Sequence, residues 1–195
     1  DLVSAQNTGV FMDMREVRDR MVSFYPQIDS VLNLFCYTGA FSVHALAHGV
    51  PRAVNVDISA PVLDRARTNY TLNGLACDDR DFVRTDVMKA IRRFSKQGQR
   101  FGLVILDPPT FSRNKHSHFS VKKDYMRCCR LLEELTPAYV LSAMNTYSVP
   151  LSGYLSSHPQ HWERIFLMHE STDFPHGNDP YLKCALWRVH DRHYG

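Results

Sequence analysis

Apolar residues gather in short runs along this chain, and these runs alternate with stretches of helical spacing. Val31 to Phe35 is nearly all apolar, as a strand covered on both faces requires. After the turn Tyr37-Thr38-Gly39, a stripe of Val43, Leu46 and Ala47 predicts a helix that stops at Gly49. Ala53 to Val56 predicts a second strand, closed by Asp57. Ser59 suits the cap of the next helix, with Pro61 in its first turn and Leu63, Ala66 and Tyr70 on its buried face. Phe82 and Val83 predict a third strand. Asp86 then caps a helix striped by Val87, Ala90, Ile91 and Phe94.

Phe101 to Phe111 holds the most apolar strand, which ends abruptly at Asp107-Pro108-Pro109. Ser112 to Ser120 is polar and basic and reads as a loop. Tyr125, Cys128, Leu131, Leu132 and Leu135 predict another helix, and Ala138 to Ala143 a fifth strand. Two late strands, Ile165 to His169 and Leu182 to Val189, flank a turn-rich stretch from Phe174 to Pro180. Upstream, Met14, Val17, Met21 and Phe24 recur at helical spacing. Strands alternating with helices, followed by two strands with no helix between them, predict an α/β fold. Its sheet has seven strands, mostly parallel, with an antiparallel edge hairpin and helices on both faces.

The 195 residues suit one domain, in which residues 1–30 form an N-terminal extension. Hydrophobic and charged contents of 44% and 22% are ordinary, and a net charge of +3 permits an anionic partner without requiring one. Five cysteines without a CxxC spacing suggest neither a disulfide framework nor a metal site, and fit a reducing cytoplasm. Of the ten histidines, the pairs His116 and His118, and His158 and His161, have no carboxylate or cysteine at ligand spacing beside them and fall in expected loops, so no metal is expected. No apolar run reaches membrane-spanning length. A start at Asp1 rather than Met is expected of a piece of a longer protein, and the oligomeric state stays open.

In such sheets ligands sit outside the carboxyl ends of the strands. Asp57, Asp86 and Asp107 each stand at a strand end or just beyond one, and the Gly39 turn follows the first strand. Asp57 suits the two hydroxyls of a ribose, Asp86 with Val87 an adenine edge, and Gly39 a close approach of backbone to ligand. Neither G-x-G-x-x-G nor a phosphate-loop lysine is present, which favours a cofactor without phosphate and points to S-adenosylmethionine. The rigid Asp107-Pro108 corner supplies acceptors for a base edge, and Phe111 a ring to stack on that base. Arg113 and Lys115 in the basic stretch suit RNA phosphates. Cys36 reads as a small packing residue.

The motifs TGVFMDMREVR, VLNLFCYTGAFSVHA, VNVDIS with LDRARTNYTLNGL, VRTDV and LDPPTFSRNK occur in that order between Thr8 and Lys115. In this the chain resembles class I S-adenosylmethionine-dependent methyltransferases of the bacterial 23S ribosomal RNA type, which form 5-methylcytosine or 7-methylguanine. The resemblance implies that Phe35, Tyr37, Thr38 and Gly39 contact the methionine moiety. It places Asp57, with Ile58 and Ser59 of the same motif, at the ribose, Asp86 at the adenine and Asp107 beside the transferred methyl. Phe11, Asp13 and Arg15 would close over the cofactor. Such enzymes usually carry an N-terminal RNA-binding domain, which this sequence lacks. Cytosine C5 methylation needs a cysteine thiolate, and Ser142 to Ser148 after the fifth strand contains none, which favours a guanine nitrogen. Methylation of a small molecule or a protein, and nucleotide binding without catalysis, remain alternatives on the sequence.

Overall fold

A computed structural model describes residues 9–114, 117–174 and 180–190. Its strands are β1 (Ser30–Leu34), β2 (Arg52–Asp57), β3 (Phe82–Arg84), β4 (Leu103–Leu106), β5 (Phe111–Asn114), β6 (Ser117–Ser120), β7 (Tyr139–Asn145), β8 (Glu163–Met168) and β9 (Leu182–Arg188). Its helices are α1 (Arg15–Met21), α2 (Ala40–Ala47), α3 (Ala60–Leu72), α4 (Val87–Lys96), α5 (Val121–Leu132) and α6 (Leu151–Ser156).

Seven strands form one sheet in the order β3-β2-β1-β4-β7-β9-β8, and β5 pairs with β6 alone. The first five of the seven are mutually parallel, while β9 runs against both of its neighbours. The antiparallel hairpin therefore lies at the edge as expected, with the reversed strand one place in. The chain winds outward in both directions from the β1/β4 pair, where Leu34 stands beside Leu106. Such a switch point opens a crevice beyond the carboxyl ends of its strands.

Alternation along the central strands sends side chains to two cores. Leu32, Leu34, Val104 and Leu106 pack with α4 and α5 residues such as Ile91 and Leu132. Val31, Leu103 and Ile105 pack with Met14, Val17 and Met21 of the N-terminal segment and with Phe41 and Ala45 of α2. Each such Leu or Ile side chain, fully buried, contributes about 1.5–3 kcal/mol, so burial on both faces rather than helix propensity holds the short α1 and α2 in place.

The described residues of the Ser112 to Ser120 stretch are strands rather than loop. β5 and β6 pair antiparallel, with Phe111 opposite Ser120 and Asn114 opposite Ser117. Pairing satisfies the backbone groups of a polar segment that has few side chains to bury. Phe119 then anchors the hairpin in the core, its ring 5.0 Å from that of Phe35. The short helix α6 between β7 and β8 carries no stripe long enough to announce itself in the sequence.

Candidate functional site

The turn after β1 is strained in an ordered way. Phe35, Tyr37 and Gly39 have φ of 56°, 49° and 74°, so left-handed residues alternate with ordinary ones. Non-glycine residues held there cost about 1–3 kcal/mol each and persist only where surroundings over-determine them. The restraint is visible: Cys36 N–H donates to Val56 O at 3.0 Å, Gly39 N–H to Cys36 O at 2.9 Å, and Tyr37 N–H to Asp57 Oδ2 at 3.3 Å. Beneath the turn a buried polar chain runs from Asn33 through Ser42 and Asn55 to Tyr70, with links of 2.9, 2.7 and 2.8 Å. A Cβ on Gly39 would meet Ala66 Cβ at 3.2 Å and Asn55 Oδ1 at 3.4 Å, so its bareness serves the close approach of α2 to α3.

A cavity of about 420 Å³ opens at the carboxyl ends of β1, β2 and β4, within the range of ligand sites. From the β1 turn it is lined by Phe35, Tyr37 and Thr38, from β2 by Asp57 and Ile58, and from the β4 corner by Asp107 and Pro108. The N-terminal segment supplies Phe11 and Asp13. The rings of Phe11 and Tyr37 lie 5.2 Å apart, and the Thr38 hydroxyl donates to Gly9 O, which ties that segment over the turn.

Other expected site residues lie apart. Asp86 caps α4, accepting from Lys89 N–H at 3.1 Å, and Val87 is buried in the core. Ser59 stands at the N-cap of α3 and offers its amide to Asp57 at 2.9 Å. Arg15 points away to an exposed pair with Asp173 at 3.0 Å. Phe111 and Arg113 are on β5, described here by its backbone, and Lys115 falls outside the described residues. In place of Arg15, Arg18 lines the cavity, donating to Phe11 O at 3.1 Å. Asn33, Thr110 and Asn145 also line it and were missed. Asn33 interrupts an apolar run directly across from Asn55, a pairing that two strands in register make visible and a single strand does not.

Charge at the floor is unbalanced. Burial, with the nearby Asp13 carboxylate adding to it, pushes the Asp107 carboxyl up to about 7, while Arg18 opposes the rise. Burial also raises Asp57, against three backbone amides that favour its charged form. Asp13 is 7% exposed and accepts from Tyr181 OH at 3.0 Å. Two carboxylates facing one guanidinium suit a ligand that brings positive charge.

A family model described as S-adenosylmethionine-dependent methyltransferase matches residues 1–155. The chain belongs to that family. It is 44% identical over 115 residues to the Ribosomal RNA large subunit methyltransferase I of Photobacterium profundum, and 38% identical over 117 residues to the protein of that name from Vibrio cholerae serotype O1. Each match takes in 59% of this chain and 29% of the relative, so the chain spans under a third of the curated relatives it matches. Among solved structures, SMU.776 in complex with SAH superimposes with a TM-score of 0.85 at 27% identity, over 93% of this chain and 50% of that one. The S-adenosylmethionine-dependent methyltransferase from Agrobacterium tumefaciens shares the fold, with a TM-score of 0.77 at 20% identity over 95% of this chain and 65% of that one.

The cavity suits the cofactor named in the family's description. S-adenosylmethionine carries sulfonium and ammonium charges and no phosphate, matching an acidic floor. Asp57 accepts from Tyr37 N–H on one oxygen and Ser59 N–H on the other, and a carboxylate's four lone-pair sites leave it capacity for a further donor. Among the described residues no helix is long and apolar enough to cross a membrane.

Proposed function

We propose that this protein transfers a methyl group from S-adenosylmethionine to a base of RNA, with large-subunit ribosomal RNA as substrate and a guanine nitrogen favoured over cytosine C5. The names of the relatives support the RNA, and that substrate puts the work in the cytoplasm. The observation that carries the choice of atom is Cys36, the only cysteine lining the cavity among the described residues. It is 5% exposed, and burial together with the Asp57 charge pushes its thiol well above the usual range. A thiol held neutral cannot add to a cytosine ring. A guanine nitrogen has its own lone pair and needs orientation and charge stabilisation instead.

The cofactor supplies a methyl group on a sulfonium that departs as a neutral thioether. The chain's residues do the rest. Asp57 accepts from the ribose hydroxyls, Phe35, Tyr37 and Thr38 hold the methionine end, and the segment from Phe11 to Arg18 covers it. Asp107 and the Pro108 carbonyl accept from the base edge, and the Asp107 carboxylate offsets the positive charge that a methylated ring nitrogen acquires. Arg113 and Lys115 offer cations to phosphates. The test is incubation of the full-length protein with tritiated S-adenosylmethionine and unmodified 23S transcript, followed by nucleoside digestion. Label in 7-methylguanine is expected. Label in 5-methylcytosine would overturn the choice of atom, and label found only in protein or small metabolites would overturn the RNA.

A further inference from the structure

Of the large apolar side chains left exposed among the described residues, Val10 and Phe11 line the cavity, Met12 follows them on the N-terminal segment, and Tyr147 lies just past β7. Tyr147 is 63% exposed, and it follows Asn145, which lines the cavity, by two residues. An exposed tyrosine alone means little. What sets this one apart is the framework beneath it.

Four hydrogen bonds fix the backbone on which Tyr147 stands. Thr110 Oγ1 on the β4 corner donates to Asn145 O at 2.7 Å, Thr146 N–H to Tyr181 O at 2.8 Å, and Ser148 N–H to Thr146 Oγ1 at 3.1 Å. The fourth donor is Lys183, which gives its Nζ to Thr146 O at 2.6 Å and is 0% exposed. A fully buried ammonium is costly to desolvate and is rarely used where a neutral donor would serve. The ring itself rests against Tyr181, with centroids 5.7 Å apart and planes inclined at 57°, so the contact is tilted and leaves most of Tyr147 open to solvent. The Tyr181 hydroxyl reaches across to Asp13 in the cavity wall. A backbone held by four hydrogen bonds thus presents an exposed ring two residues past Asn145, which Thr110 of the β4 corner grips.

On the reading that the substrate is an RNA base, we propose that Tyr147 is the stacking platform for the extruded base, with Lys183 and Tyr181 as positioning residues that hold it at the mouth. Single-stranded nucleic acid is bound by such rings because every base offers a π-face. A base taken out of its stack regains on the ring part of what it loses by leaving its neighbours.

The experiment measures label transfer from tritiated S-adenosylmethionine to unmodified 23S transcript by the full-length protein, alongside cofactor binding by calorimetry. Tyr147→Ala is expected to lower kcat/KM for RNA by about 5- to 150-fold, the range set by one lost base stack, with cofactor affinity unchanged. Tyr147→Phe keeps the ring and is expected to stay within about threefold of wild type. Lys183→Met is expected to lower kcat/KM for RNA while Tyr147 is present and to add little once it is replaced by Ala, because positioning requires something to position. Wild-type kinetics in Tyr147→Ala, or an equal loss in Tyr147→Phe, would overturn the platform. Absence of RNA methylation by the wild type would overturn the RNA reading itself, which separates the two failures.

Discussion

The cavity at the switch point and the cluster around Ser142 are built from similar groups, yet they differ in what those groups have left to give. Ser142 neighbours Leu106 across the β4/β7 pair, one residue from Asp107, so the two regions are close in the sheet. Its Oγ lies 2.8 Å from both Tyr154 OH and His158 Nε2 and receives Trp187 Nε1–H at 2.9 Å. A hydroxyl has one proton and two lone pairs; Trp187 takes one lone pair, and the Tyr154 hydroxyl, whose single proton also reaches Ser142 O at 2.9 Å, lies against the other. His158 Nδ1 faces Tyr154 O at 2.9 Å, which makes Nδ1 the protonated nitrogen and Nε2 the acceptor of the Ser142 proton. The ring also stacks on Trp187 with centroids 4.2 Å apart. A serine and a histidine in contact would pass for a nucleophile and its base, but here both are buried and fully partnered, and the pair fastens β7 to α6 and β9. Asp57 and Asp107 keep acceptor capacity facing open space. Unused capacity, rather than residue type, separates a site from a fastening.

The largest expected effect that would test this contrast is on Asp107. Asp107→Asn removes a charge that lines the cavity and, on the proposed function, should lower kcat/KM by about 100-fold or more. It should leave the melting temperature unchanged or raised, because it also relieves a carboxylate that burial disfavours. A parallel loss of stability would mean that Asp107 is a fastening too.

The next largest concerns His158, whose burial lowers it to about 4 from 6.5. Above pH 6.5 the ring is neutral whether the chain is folded or unfolded. Below that, the unfolded chain takes up a proton that the folded one refuses, so stability falls as pH drops and levels off near pH 4. The loss amounts to about 3 kcal/mol at about 1.36 kcal/mol per pH unit. Urea unfolding from about pH 7 to about pH 4 should show that slope in the wild type and a weaker one in His158→Gln.

The smallest expected effect is on cofactor affinity. A ligand carrying positive charge prefers Asp107 ionised, so affinity for S-adenosylmethionine should rise by several-fold from about pH 6 to about pH 8. Calorimetry should record release of a proton on binding near about pH 6.5. An affinity flat across that interval would remove Asp107 from the cofactor's surroundings.

The alternation of strands and helices was plain in the sequence because each buried strand is a short apolar run and each helix carries a stripe. The acids at strand ends were equally plain, but the signal for Asp57, Asp86 and Asp107 is the same while their surroundings are not. Asp86 is followed by a helix in which one free first-turn amide, that of Lys89, donates to its carboxylate. Asp107 is followed by two prolines that have no amide proton to offer, which leaves its carboxylate for the cavity. Arg15 and Arg18 differ by three residues on one short helix, and only packing decided that the first meets Asp173 and the second the cavity. The β5–β6 hairpin was hidden because its strands are polar, and the pairing of Asn33 with Asn55 was hidden because it joins two strands.

The clasp between the two ends of the described chain sets an order of assembly during synthesis. Asp13 O receives both the amide and the hydroxyl of Ser171, and its carboxylate receives Tyr181, across separations of 158 and 168 residues. β9 must also slot between β7 and β8, both made before it. The wall that Asp13 belongs to therefore stays open on the growing chain until Ser171 and Tyr181 have been made.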